Sequence, residues 1–139
     1  MMISSCVYNE IIYKCSSIFA ETGGIIGGNN NVINKFLFDK GVEIIIPGYY
    51  IPDVDLLNFN LYKWRKRGIK FYGIVHSHIN EYQDLSSIDK NFIRKILITM
   101  PQDIEMLYFP IVSNKLIYSY KAIRNHDEIC INDDDVILI

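Results

Sequence analysis

Apolar positions recur along this chain with two periods, and the alternation between them predicts its elements. From Asn9 to Ala20 the apolar residues Ile11, Ile12, Cys15, Ile18 and Phe19 fall at helical spacing, with Asn9 placed to cap the start and one face expected to pack on a sheet. A second helix is predicted from Asp53, where Val54, Leu57, Leu61 and Trp64 recur every three or four residues. Asp53 and Asp55 open it, Lys63, Arg65, Lys66 and Arg67 close it, and Gly68 supplies the C-cap, an order that suits the helix dipole. A third runs from Ser86 to Met100 on Ile88, Phe92, Ile93, Ile96 and Leu97, and Pro101 stops it.

The segments between these helices read as strands. Gly23-Gly24 and Gly27-Gly28 bracket Ile25-Ile26, a short strand approached closely by other backbone. After the turn signal Asn29-Asn30-Asn31, Val32 to Phe38 and Val42 to Ile46 are expected to form a hairpin across Asp39-Lys40-Gly41. Pro47 to Pro52 is a stiffened loop carrying Tyr49 and Tyr50, a candidate for substrate contact although packed or surface tyrosines are commoner. Ile69 to Val75 is a β-prone run, and Ile104 to Val112 with Lys115 to Ile123 predicts a second hairpin around Ser113-Asn114. The tail from Asn125 to Ile139 reads either as a last strand or as a loosely held terminus. The order of elements gives an α/β domain, a mixed sheet flanked by helices, and 139 residues suit a single domain with a real core.

Composition narrows the function classes. With 14 basic and 16 acidic residues the net charge is -2, which offers no electrostatic reason to expect nucleic acid. The basic cluster from Lys63 to Arg67 could meet an acidic partner or nucleic acid, but a solvated helix end is the favoured reading. No apolar run reaches about 18 residues and no signal-peptide pattern opens the chain, so no membrane association and a cytoplasmic location are expected. Cys6, Cys15 and Cys130 form no C-x-x-C pair and are expected to be buried small hydrophobes.

The chemistry concentrates between His76 and Asp89. His76 and His78 stand at the end of the predicted strand, and residues two apart on a strand project the same way, at about 3.3 Å of rise per residue, so both imidazoles can hold one metal while Ser77 faces away. Asp89 follows on the first turn of the third helix and is placed as a third ligand. Two histidines and a carboxylate leave a fourth tetrahedral position open, the arrangement of a catalytic zinc that binds water. Taken singly, the parts have bland readings: an H-x-H pair is weak evidence, and Ser86-x-x-Asp89 is what a helix start prefers.

His76-x-His78, seven residues, then Ser86-x-x-Asp89 resembles the JAMM motif of the MPN-domain zinc metalloproteases. Glu21-Thr22-Gly23-Gly24, followed by aliphatics and glycine, is similar to the stretch that carries the catalytic glutamate in the family's bacterial, Jab-like branch. The chain departs from the pattern at Ile79, where the family usually has proline; this loosens the expected loop and removes no ligand. The resemblance implies a single-domain MPN fold, a curved, cytidine-deaminase-like mixed sheet, with one zinc held by His76, His78 and Asp89 at the sheet edge. It further implies Glu21 as general base and Ser86 as the group that stabilises the oxyanion. Its substrates imply a deubiquitinase-like hydrolase that cleaves a peptide or isopeptide bond, often after a Gly-Gly end, at the C-terminal tail of a ubiquitin-like or sulfur-carrier protein or its conjugate. Metal-free family members serve as dimerisation scaffolds, which is the alternative reading. Edge strands and the apolar end Val136 to Ile139 are compatible with a homodimer.

Overall fold

Two apolar surfaces, one on each face of a single sheet, organise the chain. The computed structural model describes residues 1–16, 19–42 and 49–139. The strands are β1 (Met2–Ile3), β2 (Gly23–Asn29), β3 (Val32–Asp39), β4 (Lys70–Ser77), β5 (Met106–Tyr108), β6 (Ile111–Ser113), β7 (Leu116–Asn125), β8 (Glu128–Asp134) and β9 (Ile137–Leu138). Helices α1 (Ser5–Cys15), α2 (Val54–Lys66) and α3 (Ser87–Thr99) lie between them. The strand order is β5-β7-β6-β4-β2-β3-β1-β9, with β8 on β7. β2 is antiparallel to both β3 and β4, whereas β4 is parallel to β5 and β6, so the sheet is mixed as the element order predicted.

Strand alternation divides the core. Ile25, Ile74 and Ile111 point to the side covered by α2 and α3, where Leu57, Ile93, Leu97 and Phe109 join them. Their chain neighbours Ile26, Val75 and Val112 point to the opposite side, against Val7, Ile11 and Cys15 of α1. α2 and α3 follow the predicted boundaries closely, because each has the expected cap: Asp53 accepts from the Leu56 N–H, and Ser86 from the Asp89 N–H.

Two expectations are corrected, the limits of α1 and the burial of the cysteines. α1 begins at Ser5, capped by Ser4 rather than Asn9, and ends at Cys15; Phe19 is exposed, and Ile18 lies outside the described residues. The turn expected at Asn29-Asn30-Asn31 is present: β3 folds back on β2 through Asn30 and Asn31, both left-handed at φ 53° and 62°, a pair of conformations that matches the twist of a two-residue hairpin and that asparagine tolerates. The hairpin expected across Asp39-Lys40-Gly41 has its second arm largely on residues 43–48, outside the described residues. Of the cysteines only Cys15 is buried, and burial pushes its thiol up to about 12; Cys6 and Cys130 are exposed.

The second predicted hairpin is present, turning at Asn114 and Lys115, but Phe109-Pro110 splits its first arm into β5 and β6, both paired with β7. The tail is ordered: β8 pairs with β7 along its length and β9 adds to β1. Among the described residues no helix is long and apolar enough to cross a membrane.

Candidate metal centre

The C-terminal end of β4 carries two of the three converging side chains. His76 is its penultimate residue and His78 follows it, held in line because the His78 N–H donates to the Val112 carbonyl at 2.9 Å. Ser77 between them is buried and points to the other side, as strand alternation requires. The two Nε2 atoms face each other at 3.1 Å. Asp89 closes the group, its Oδ1 3.2 Å from His76 Nε2 and its Oδ2 3.4 Å from His78 Nε2. Ligands at 2.0–2.1 Å around a tetrahedral ion stand roughly 3.3 Å apart, so these separations fit a shared cation. The donor set asks for one as well: two imidazole nitrogens turned on each other cannot both carry a proton without repulsion, and one cation between them satisfies both lone pairs. His78 Nδ1 lies 2.8 Å from the Tyr82 carbonyl, so it carries the proton and leaves Nε2 unprotonated for the ion.

Asp89 is aimed by the start of α3. Its carboxylate Oδ2 accepts the Ser86 N–H at 2.8 Å, and its own N–H donates to Ser86 Oγ at 3.1 Å, a reciprocal capping box. Burial would raise the Asp89 carboxyl, but the bonds to His76, His78 and the Ser86 amide outweigh it and hold the group well below the usual carboxylate range. Burial likewise opposes the charge on His78, whereas Asp89, the Tyr82 carbonyl and Glu21 together raise its pKa.

Glu21 reaches the same place from the neighbouring strand, at the same end of the sheet. It immediately precedes the Thr22 that leads into β2, and β2 runs antiparallel to β4 with Gly23 opposite His76. Ser77 fixes this approach: its N–H donates to the Thr22 carbonyl at 2.8 Å, and the Thr22 N–H donates to its Oγ at 2.9 Å. Glycine is required at 23, because a Cβ there would stand 2.3 Å from the Val75 carbonyl oxygen and 2.6 Å from the Tyr50 ring. Glu21 does not belong to the three residues whose ligand atoms lie within 4.8 Å of one another, and with His76 and Asp89 it lines a cleft. Burial raises its pKa, against the pull of His78 and His76.

The Tyr50 N–H donates to Glu21 Oε2 at 3.4 Å, so the tyrosine loop singled out in the sequence does reach the site. The Tyr50 hydroxyl in turn donates to Asp39 Oδ2 at 2.9 Å, and the buried Asp39 also accepts from the Gly41 and Asp53 amides, both at 2.8 Å. Asp39 was missed in the sequence, where it reads as a turn residue. Tyr82 was missed because it acts through a backbone carbonyl, which no side-chain pattern announces.

No family model matches the sequence, and no curated protein resembles it significantly. Solved structures do resemble the fold. The solution structure of a protein from Desulfitobacterium hafniense superposes with a TM-score of 0.72 at 17% identity, over 99% of this chain and 92% of that one. The crystal structure of a JAB1/MPN domain protein from Archaeoglobus fulgidus superposes with a TM-score of 0.58, again at 17% identity, over 100% of this chain and 99% of that one. The chain therefore has an α/β fold similar to that of a JAB1/MPN domain, carrying a His-His-Asp group able to hold a metal ion.

Proposed function

We propose that this chain is a zinc-dependent peptidase or isopeptidase of the JAMM type. The observation that carries the reading is the convergence of His76, His78 and Asp89 at 3.1 to 3.4 Å beside a half-buried glutamate that is not one of them. Two imidazoles and one carboxylate suit zinc, and three protein ligands leave a position open. When bound there, zinc supplies Lewis acidity and lowers the pKa of a coordinated water toward ~7.

The remaining steps belong to the chain's own groups. Glu21, anchored by the Tyr50 amide, accepts a proton from the attacking water and returns it to the leaving amine. Its upward-shifted pKa brings it nearer the neutral range in which a base must both take and give a proton. Ser86 Oγ accepts the Asp89 N–H as a cap, which leaves its O–H proton free to donate to the carbonyl oxygen as charge develops there. The substrate is the C-terminal tail of a ubiquitin-like or sulfur-carrier protein, or a conjugate of one, bound extended so that its backbone is read.

Elemental analysis of purified protein, beside His78→Ala and Glu21→Ala, tests the reading. About one zinc per wild-type chain is expected, little in His78→Ala, and full retention with loss of cleavage in Glu21→Ala, because a base need not be a ligand. A wild-type chain that takes up no zinc when it is offered overturns the enzyme and leaves a metal-free scaffold.

A further inference from the structure

Two clefts meet at the metal centre, and they differ in character. On the His78 side the walls are the more polar, with Ser86, Asn80 and Tyr82 beside Ile79 and Tyr49. On the His76 side lies a cavity of about 280 Å³ walled by Tyr50, Ile74, Ile88, Phe92 and Phe109, with Glu21, His76 and Asp89 at its inner end. A dry apolar cavity of about 150 Å³ already holds a benzene ring. The apolar surface continues outward, since Tyr49, Ile51 and Ile88 line this cavity yet remain 53%, 37% and 64% exposed. Ile88, on the apolar face predicted for this helix, stands at the rim, one residue before Asp89.

We infer that this cavity is a specificity pocket for a large apolar side chain, aromatic or leucine-sized, on the residue adjoining the scissile bond. The inference rests on the proposed peptidase reading and deepens it. A group anchored in the cavity lies beside Glu21 and the metal ligands, where the bond to be cut must also lie. The polar cleft leaves room for peptide backbone and the carbonyl oxygen near Ser86. Two glycines at the end of a ubiquitin-like tail offer nothing to fill such a space, so the apolar residue belongs to the amine side of the bond. Burial of an aromatic side chain there is worth at least about a tenfold preference over alanine.

The pocket can be tested with and without zinc. Protein carrying labelled isoleucine methyls is titrated with phenylacetamide, and with acetamide as control, and followed by NMR. Saturable shifts confined to Ile51, Ile74, Ile88 and Ile93, the isoleucines that line the cavity, are expected with phenylacetamide alone. They should weaken at least tenfold in Ile88→Trp, which closes the rim at an exposed position and leaves the core intact. Shifts that fail to saturate, that spread over isoleucines remote from the cavity, or that persist unchanged in Ile88→Trp overturn the pocket. With zinc bound, tail peptides carrying phenylalanine after the scissile glycine should be cleaved at least tenfold more efficiently than those carrying alanine, and equal rates for the two would also overturn it. Phenylacetamide binding in a chain that takes up no zinc would uphold the pocket and remove the peptidase.

Discussion

Ser86 has one hydroxyl for two tasks, and the geometry lets them be separated. As a cap it accepts from Asp89 N–H at 3.1 Å; as a catalytic donor it would spend its proton on the substrate carbonyl. Ser86→Ala should lose about 1 kcal/mol of stability, whereas Ser86→Gly should lose only a few tenths. Both should lower kcat by roughly 10²-fold or more with little change in KM, because the missing donor acts on developing charge. Urea unfolding and steady-state kinetics on the same two variants check this. Turnover that follows stability across the pair, near wild type in Ser86→Gly, would reduce Ser86 to a cap.

At the scale of elements, the ends of β3, β2 and α2 are stapled by one buried carboxylate. Asp39 sits at the end of β3 and is 2% exposed, yet it receives Gly41 N–H, Asp53 N–H and the Tyr50 hydroxyl. The Asp53 bond ties it to the N-cap of α2, and Tyr50 carries it to Glu21. Asp39→Ala strands three donors and should cost about 2–4 kcal/mol, while Tyr50→Phe, which removes one bond and keeps the amide on Glu21, should cost about 1 kcal/mol. Zinc content should stay at the wild-type level in both, since Asp39 touches none of the three ligands. Unfolding midpoints equal to wild type for Asp39→Ala would show that the staple is not needed.

At the scale of the whole molecule, the tail is an integral part of the sheet. Asp134 at the end of β8 receives the Met1 amine, and Lys121 Nζ of β7 stands 2.9 Å from its other oxygen. Burial would raise the Asp134 carboxyl, but these two cations outweigh it and hold the group below its ordinary value. A depressed carboxyl stabilises the fold above the unfolded-state pKa near ~3.9, and that contribution disappears as pH falls through the lower folded value. Asp134→Asn should therefore be less stable than wild type by on the order of 1 kcal/mol near pH 7, with the gap closing below about pH 4. Urea midpoints measured across that range check it; a gap that stays constant with pH would assign the effect to packing. The exposed Ile137, Leu138 and Ile139 beyond it are the surface on which the expectation of a dimer rests.

The sequence by itself determined what depends on neighbours along the chain. The two histidines share a strand face because they are two apart, and Asp89 sits on the first turn of α3 because Ser86 caps it three residues earlier. The limits of α2 and α3 follow from their caps for the same reason. The turn at Asn30-Asn31 was legible for the same reason, whereas the start of α1 was misread because several polar residues there could cap it, and local preference does not choose between Ser4 and Asn9. Tertiary structure made that choice by tying the chain just ahead of α1 to β3, where the Ser4 N–H donates to the Ile33 carbonyl. It alone brought Glu21 beside His76, across 55 residues of chain between Thr22 and Ser77, because strand register is a non-local contact that only the closed sheet supplies. It alone turned Asp39 into a buried staple and opened an apolar cavity beside the ligands, since both depend on surfaces contributed by distant segments.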